Sequence, residues 1–121
     1  MLRRRGISVR EIKRSEIYWV NFSPVKGSEQ RGRRPALVVQ NDIGNKYAST
    51  TIVAAITSQV SKRKYPMNVI LPEGILPKKS EVLCSQLRTI DKRRLEKYIC
   101  TLDEAIMKEV DEALHIALEL D

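Results

Sequence analysis

Ile17-Tyr18-Trp19-Val20-Asn21-Phe22 and Ala36-Leu37-Val38-Val39-Gln40 flank the stretch Gly27-Ser28-Glu29-Gln30-Arg31-Gly32-Arg33-Arg34-Pro35. Both flanking runs are rich in β-branched and aromatic residues, which predicts two strands joined by a loop. The nine residues of that stretch hold two glycines, three arginines and one carboxylate. That is more guanidinium than a connection needs for solubility. Arg34 is the most constrained of the three arginines, because the proline after it disfavours helical backbone and holds it extended. Its guanidinium is therefore expected to project from a strand end, at a rim. Guanidinium forks match phosphate geometry bidentately, so a nucleic-acid backbone is one reading of this loop. A solvated basic turn is an equal reading of the loop taken alone.

Outward from this stretch, Ala36 to Gln40 is apolar on both faces, as a central strand is. Asn41-Asp42-Ile43-Gly44-Asn45-Lys46 is dense in turn formers and reads as an exposed connection. Thr50 to Thr57 is a second strand apolar on both faces. Ser58 to Lys64 is polar and basic, a further loop suited to a polyanion or simply solvated. Met67 to Leu71 reads as a short strand closed by Pro72, and Glu81 to Leu87 as another. Asp91 can N-cap a short helix running through Leu95-Glu96-Lys97, with Tyr98-Ile99-Cys100 as a last short strand. Thr101 to Glu104 contains a T-x-x-E capping box, with Asp103 as a competing cap. Ile106, Met107, Val110, Ala113, Leu114, Ala117 and Leu118 then share one helical stripe, and Lys108, Asp111, Glu112, His115 and Glu119 lie on the other side. Short strands followed by an amphipathic helix predict an α+β domain built on a small antiparallel barrel.

The 121 residues suffice for one domain with a modest core. No apolar run approaches the roughly 18 residues of a transmembrane helix, and the basic start Met1-Leu2-Arg3-Arg4-Arg5 has no apolar stretch behind it. A cytoplasmic protein with no membrane association is expected. Cys84 and Cys100 have no metal-site spacing and read as reduced, buried thiols. The net charge of +7 is segregated: +5 over residues 3–14, +8 over 15–102 and −6 over 103–121. A basic body with an acidic terminal segment implies a polyanionic partner on the body. Residues 1–14 read as a basic arm, or as a weakly ordered extension, ahead of a single domain over 15–121.

The chemistry open to these residues is narrow. His115 is the single histidine and sits on the polar face of the acidic terminal helix, so a paired-histidine mechanism is unavailable. Glu29, Asp42, Glu73 and Glu81 are scattered and offer no oxygen cluster for two metals. Neither cysteine has a histidine to activate it. RNA, however, carries its own nucleophile, the 2′-hydroxyl beside the phosphate. A protein that holds sugar and phosphate in line and stabilises developing charge can cleave it, leaving a 2′,3′-cyclic phosphate and a 5′-hydroxyl. Arg34 suits the charge-stabilising role. Thr57 could orient the phosphate, or could be an ordinary strand-terminal threonine.

The segments GSEQRGRRPALVVQNDIGNKY, TIVAAIT and QLRTIDKRRLEKY, with LDEAIMKEVDEAL as a closing helix, resemble the MazF/PemK family of toxin endoribonucleases, in its Gram-positive branch. The resemblance spans roughly Glu16 to Leu120. It implies an SH3-like barrel with a short helix and a C-terminal amphipathic helix. It also implies a homodimer, a cognate MazE-like antitoxin, and sequence-specific cleavage of single-stranded RNA without metal, cofactor or ribosome. Matched by motif, the catalytic arginine is Arg34, the catalytic threonine Thr57, and the motif glutamate Glu29, in a catalytic or orienting role. RNA contacts are implied at Ser28, Gln30, Arg31, Arg33, Gln59, Lys62, Lys64 and Gln86. The chain departs from the family's pattern at Asn21, where many relatives have Asp, at Arg31 and Arg33, and in its basic arm. The same fold hosts CcdB-like gyrase-inhibiting binding modules, the alternative reading, but these lack the Arg-Pro and Thr constellation. A barrel that binds single strands without cutting them finds little support, since one Phe and one Trp supply few stacking platforms.

Overall fold

The computed structural model describes residues 11–22 and 32–120. The elements run β1 (Glu16–Asn21), β2 (Arg33–Val38), α1 (Asp42–Tyr47), β3 (Thr50–Thr57), β4 (Asn68–Ile70), β5 (Glu81–Asp91), a 3-10 turn (Lys92–Arg94), β6 (Leu95–Thr101) and α2 (Glu104–Leu118). The strands form one antiparallel sheet in the order β4-β5-β3-β2-β1-β6. The fold is α+β, as expected, but the sheet is open, with β4 and β6 at its edges, rather than a closed barrel.

Alternation along the strands sorts the core into two layers. Ile17, Leu37, Ala54 and Ile56 point to one face and pack with Ile106, Met107, Val110 and Ala113 of α2. Tyr18, Val20, Ala36, Val38 and Val53 point to the other, where Ile12, Leu95 and Tyr98 cover them. Side chains alternate with a period of two, so a strand covered on both faces reads as a continuous apolar run. That is why β3 is found where the sequence predicts it. Cys84 belongs to the α2 layer and is buried, whereas Cys100 is only half-buried.

Two expectations need correction, and one open choice is settled. Asp42–Tyr47 is a helix, not an exposed turn. Asn41 caps it by accepting the Gly44 N–H, and the buried Asn45 knits the helix to the sheet. The Asn45 amide donates to the Gln40 carbonyl at 2.9 Å and to Asp42 at 3.1 Å, while its oxygen accepts from Gln40 at 3.0 Å and Thr51 at 2.6 Å. A Cβ at Gly44 would lie 3.0 Å from the Gln40 side-chain amide, so a larger residue there would press on the same bonds. Second, the helix after Asp91 is a single 3-10 turn, and Leu95 to Lys97 belong to β6. Pairing of Leu95 with Val20 and Tyr98 with Tyr18 outweighs the helical pattern. Third, the cap of α2 is Asp103, which accepts the Ile106 N–H at 2.9 Å, because Thr101 is committed to β6.

β5 also runs longer than expected. Its register against β3 jumps from Ala54↔Leu87 to Ala55↔Leu83, leaving Cys84, Ser85 and Gln86 without partners on β3. Extra residues of this kind bend a strand and re-aim its side chains. Residues 1–10 of the expected arm lie outside the described residues, but its end is docked. Ile12 packs into the second layer. Arg14 donates from its N–H to Asp42 at 2.7 Å and from its guanidinium to the Val39 carbonyl at 2.7 Å and Asp111 at 2.8 Å. No helix among the described residues is long and apolar enough to cross a membrane.

Candidate active site

The end of the sheet where β2 begins and β3 ends opens onto a cavity of about 560 Å³. Arg34 and Thr57 both line it. Their meeting follows from register. β2 and β3 pair Val38↔Val53, Leu37↔Ala54 and Ala36↔Ala55, and two further steps bring Arg34 level with Thr57. Arg34 is extended within β2, paired with Val20 of β1, and Pro35 after it carries no N–H to donate to the ladder. The arginine is exposed, and no carboxylate among the described residues lies in ion-pair range of it. Its neighbour Arg33 is differently placed. Its guanidinium meets Glu96 of β6 at 2.7 Å, so part of its charge is already answered.

Thr57 is half-buried, and its hydroxyl oxygen accepts the Gln59 N–H at 3.0 Å. A hydroxyl that accepts one hydrogen bond still has its own proton to give. Thr57 is therefore set up to donate toward an anion in the cavity, beside a guanidinium that no carboxylate among the described residues pairs. The walls are apolar, from Trp19, Pro35, Ile56, Leu76 and Ile99, with Ser58, Gln59 and Lys78 at the polar side. Such a mixture suits a nucleotide, whose base prefers apolar or aromatic contact and whose phosphate prefers the cations.

The remaining sequence candidates fall in several places. Ser28, Glu29, Gln30 and Arg31 lie outside the described residues. Gln59 lines the cavity. Lys62 and Lys64 are exposed on the loop that follows. Gln86 is exposed in the irregular part of β5 and does not line the cavity. Arg88 stacks over the Phe22 ring, 4.8 Å from its centre. His115 sits exposed in the last turn of α2 and is absent from the cavity lining. Reading by sequence missed Trp19 and Lys78. Trp19 carried a signal, a large aromatic in a strand that turns out to be more than a third exposed. Lys78 carried none, since a lysine in a proline-punctuated loop is ordinary.

Residues 13–118 match the family of PemK-like, MazF-like toxins of type II toxin–antitoxin systems. The chain is 50% identical over 111 residues to Endoribonuclease EndoA of Bacillus subtilis (strain 168), an alignment covering 90% of this chain and 96% of that protein. Its fold is similar to that of MazF from Deinococcus radiodurans, with a TM-score of 0.76 at 28% identity over 93% of this chain and 100% of the other. It is likewise similar to a chain of a MazE-MazF crystal structure from the same organism, with a TM-score of 0.77 at 26% identity and the same coverage.

Proposed function

Because the chain belongs to the PemK-like, MazF-like toxin family of type II toxin–antitoxin systems, we propose that it is a sequence-specific endoribonuclease acting on single-stranded RNA through Arg34 and Thr57. The observation that carries this reading is the shared cavity, faced both by a guanidinium that no carboxylate among the described residues pairs and by a hydroxyl whose oxygen accepts the Gln59 N–H. The 2′-hydroxyl of the bound nucleotide attacks the adjacent phosphorus in line, and the bond to the 5′-oxygen breaks. The ends left are a 2′,3′-cyclic phosphate and a 5′-hydroxyl. Arg34 stabilises charge developing on the non-bridging oxygens, and Thr57 fixes their orientation. Trp19 and the apolar wall take an unstacked base, while Gln59, Lys62, Lys64 and Lys78 extend the polar and cationic track. Because RNA supplies the nucleophile, no metal-bound water, cofactor or ribosome is required.

The test is cleavage of a long mixed-sequence RNA by antitoxin-free protein in EDTA. We expect cleavage to persist, and to stop when the ribose at the scissile position is replaced by deoxyribose, with much of the binding retained. Thr57→Ala is expected to slow cleavage while leaving the fold intact. RNA left uncut by wild-type protein would overturn the reading.

The functional unit we propose is a homodimer held in check by a MazE-like antitoxin, a partner seen with the Deinococcus relative. Ile43 and Tyr47 of α1 are each more than three-quarters exposed, apolar surface that a second copy would cover. A monomeric mass at micromolar concentration would argue against the dimer.

A further inference from the structure

Glu81 is the most deeply buried carboxylate among the described residues, 1% exposed at the start of β5. Among the described residues its carboxylate hydrogen-bonds with one residue. Oε1 accepts the Ser61 N–H at 2.8 Å and the Ser61 hydroxyl at 2.9 Å, and Oε2 lies 3.1 Å from the same hydroxyl. No lysine or arginine among the described residues is in ion-pair range of it. A buried carboxylate without a cation is costly, and an apolar side chain of similar size would serve the core as well or better. Core stability therefore does not account for Glu81.

Its position does. Glu81 is the register partner of Thr57, and its neighbour Ser80 lines the cavity. The chain leaving β3 is tethered twice within four residues, at Gln59 by the Thr57 hydroxyl and at Ser61 by Glu81. Ser58 and Gln59, just before and at the first tether, form part of the cavity wall. Fixing Ser61 thus limits how far the Gln59 N–H can stray from the Thr57 oxygen.

We propose that Glu81 is a positioning residue of the active site, holding residues 58–61 through Ser61 so that Gln59 keeps the Thr57 hydroxyl aimed at the RNA phosphate. The proposal rests on the endoribonuclease reading and deepens it. Without the anchor, the hydroxyl must be ordered anew in each transition state, which lowers kcat more than it raises KM.

The experiment compares Glu81→Val and Glu81→Gln in wild-type and Thr57→Ala backgrounds, with single-turnover cleavage and urea denaturation read together. Glu81→Gln keeps an acceptor for the Ser61 N–H and adds a donor for its hydroxyl, so this variant is expected to retain near-wild-type kcat. Glu81→Val is expected to keep or raise the denaturation midpoint while lowering kcat about tenfold, with KM changed less. In the Thr57→Ala background the same substitution is expected to change kcat less than about twofold, since the group it positions is gone. Should Glu81→Val fail to fold, Ser61→Ala removes the hydroxyl bonds but keeps the N–H bond. It is expected to lower kcat less, about threefold, and again only where Thr57 is present. An unchanged kcat, or an equal loss without Thr57, then overturns the proposal. Equal losses in both backgrounds, or an active Glu81→Val, overturn the proposal alone. Wild-type protein that cuts no RNA overturns the endoribonuclease reading and the proposal with it.

Discussion

Arg33 and Arg34 are adjacent, identical in chemistry and unequal in surroundings. Arg33 is bridged to Glu96, whereas Arg34 faces the cavity with no carboxylate beside it among the described residues. If the loop were only an electrostatic patch, alanine at either position would cost similar activity. If Arg34 stabilises the transition state, Arg34→Ala should lower the cleavage rate on the order of 10²-fold or more, and Arg33→Ala should mainly weaken RNA binding. Single-turnover rates at saturating RNA separate the two, and equal modest losses would sink the catalytic assignment. At this scale the sequence was legible where local chemistry constrains the backbone. Pro35 announces an extended Arg34, whereas Thr57 read alone is an ordinary strand-terminal threonine and stands out only through the family motif. It was illegible where a partner is distant in the chain. Nothing around Glu81 signals Ser61, 20 residues earlier, because burial and pairing across a sheet are tertiary facts.

Among the elements, α1 shows how turn chemistry and helix chemistry share residues. Asparagine, aspartate and glycine bond their own backbone in turns, and the same habit makes them helix caps. What tips Asp42–Tyr47 to a helix is the demand of the buried Asn45 for partners, met by Gln40, Asp42 and Thr51. Asn45→Ala would strand the Thr51 hydroxyl and Gln40 groups it satisfies. It should destabilise the fold by about 2 kcal/mol, read as a lower urea midpoint with an unchanged m-value. The turn after β5 supports a pH prediction. Asp91 accepts hydrogen bonds from the Arg93 side chain and N–H, which hold its carboxyl down from 3.8 to about 2. A depressed carboxyl contributes stability that is complete above its unfolded pKa and is lost as pH falls through the folded one. Wild-type stability should therefore slope more steeply than that of Asp91→Asn between about pH 4 and about pH 2. The pair is exposed, so the difference should be small and should shrink in salt.

For the whole molecule, the apolar runs of β1, β2 and β3 and the stripe on α2 were enough to predict a small antiparallel β-structure with an amphipathic closing helix. They could not say whether the sheet closes, since closure depends on register and bulges such as the one in β5 rather than on any residue's preference. The charge pattern was legible too, and the fold refines what it means. Residues 11–14 of the basic arm are docked, with Ile12 in the second core layer and Arg14 bridging Asp42, Val39 and Asp111. Truncation through residue 14 would thus damage the domain as well as remove charge. Deleting residues 1–10 removes four arginines and no acid and leaves that docking in place. If those arginines meet phosphates, each releases counterions from the RNA, and single-strand binding loses roughly 0.7 of a log–log salt slope per contact. The truncated protein should bind RNA with a slope shallower by at most about 3, losing most affinity at low salt. Its cleavage positions should not move, because contacts to phosphate carry no base identity. Cleavage mapping and binding at several salt concentrations check both halves. A shifted cut site would mean that the arm reads bases, and an unchanged slope that it meets no RNA.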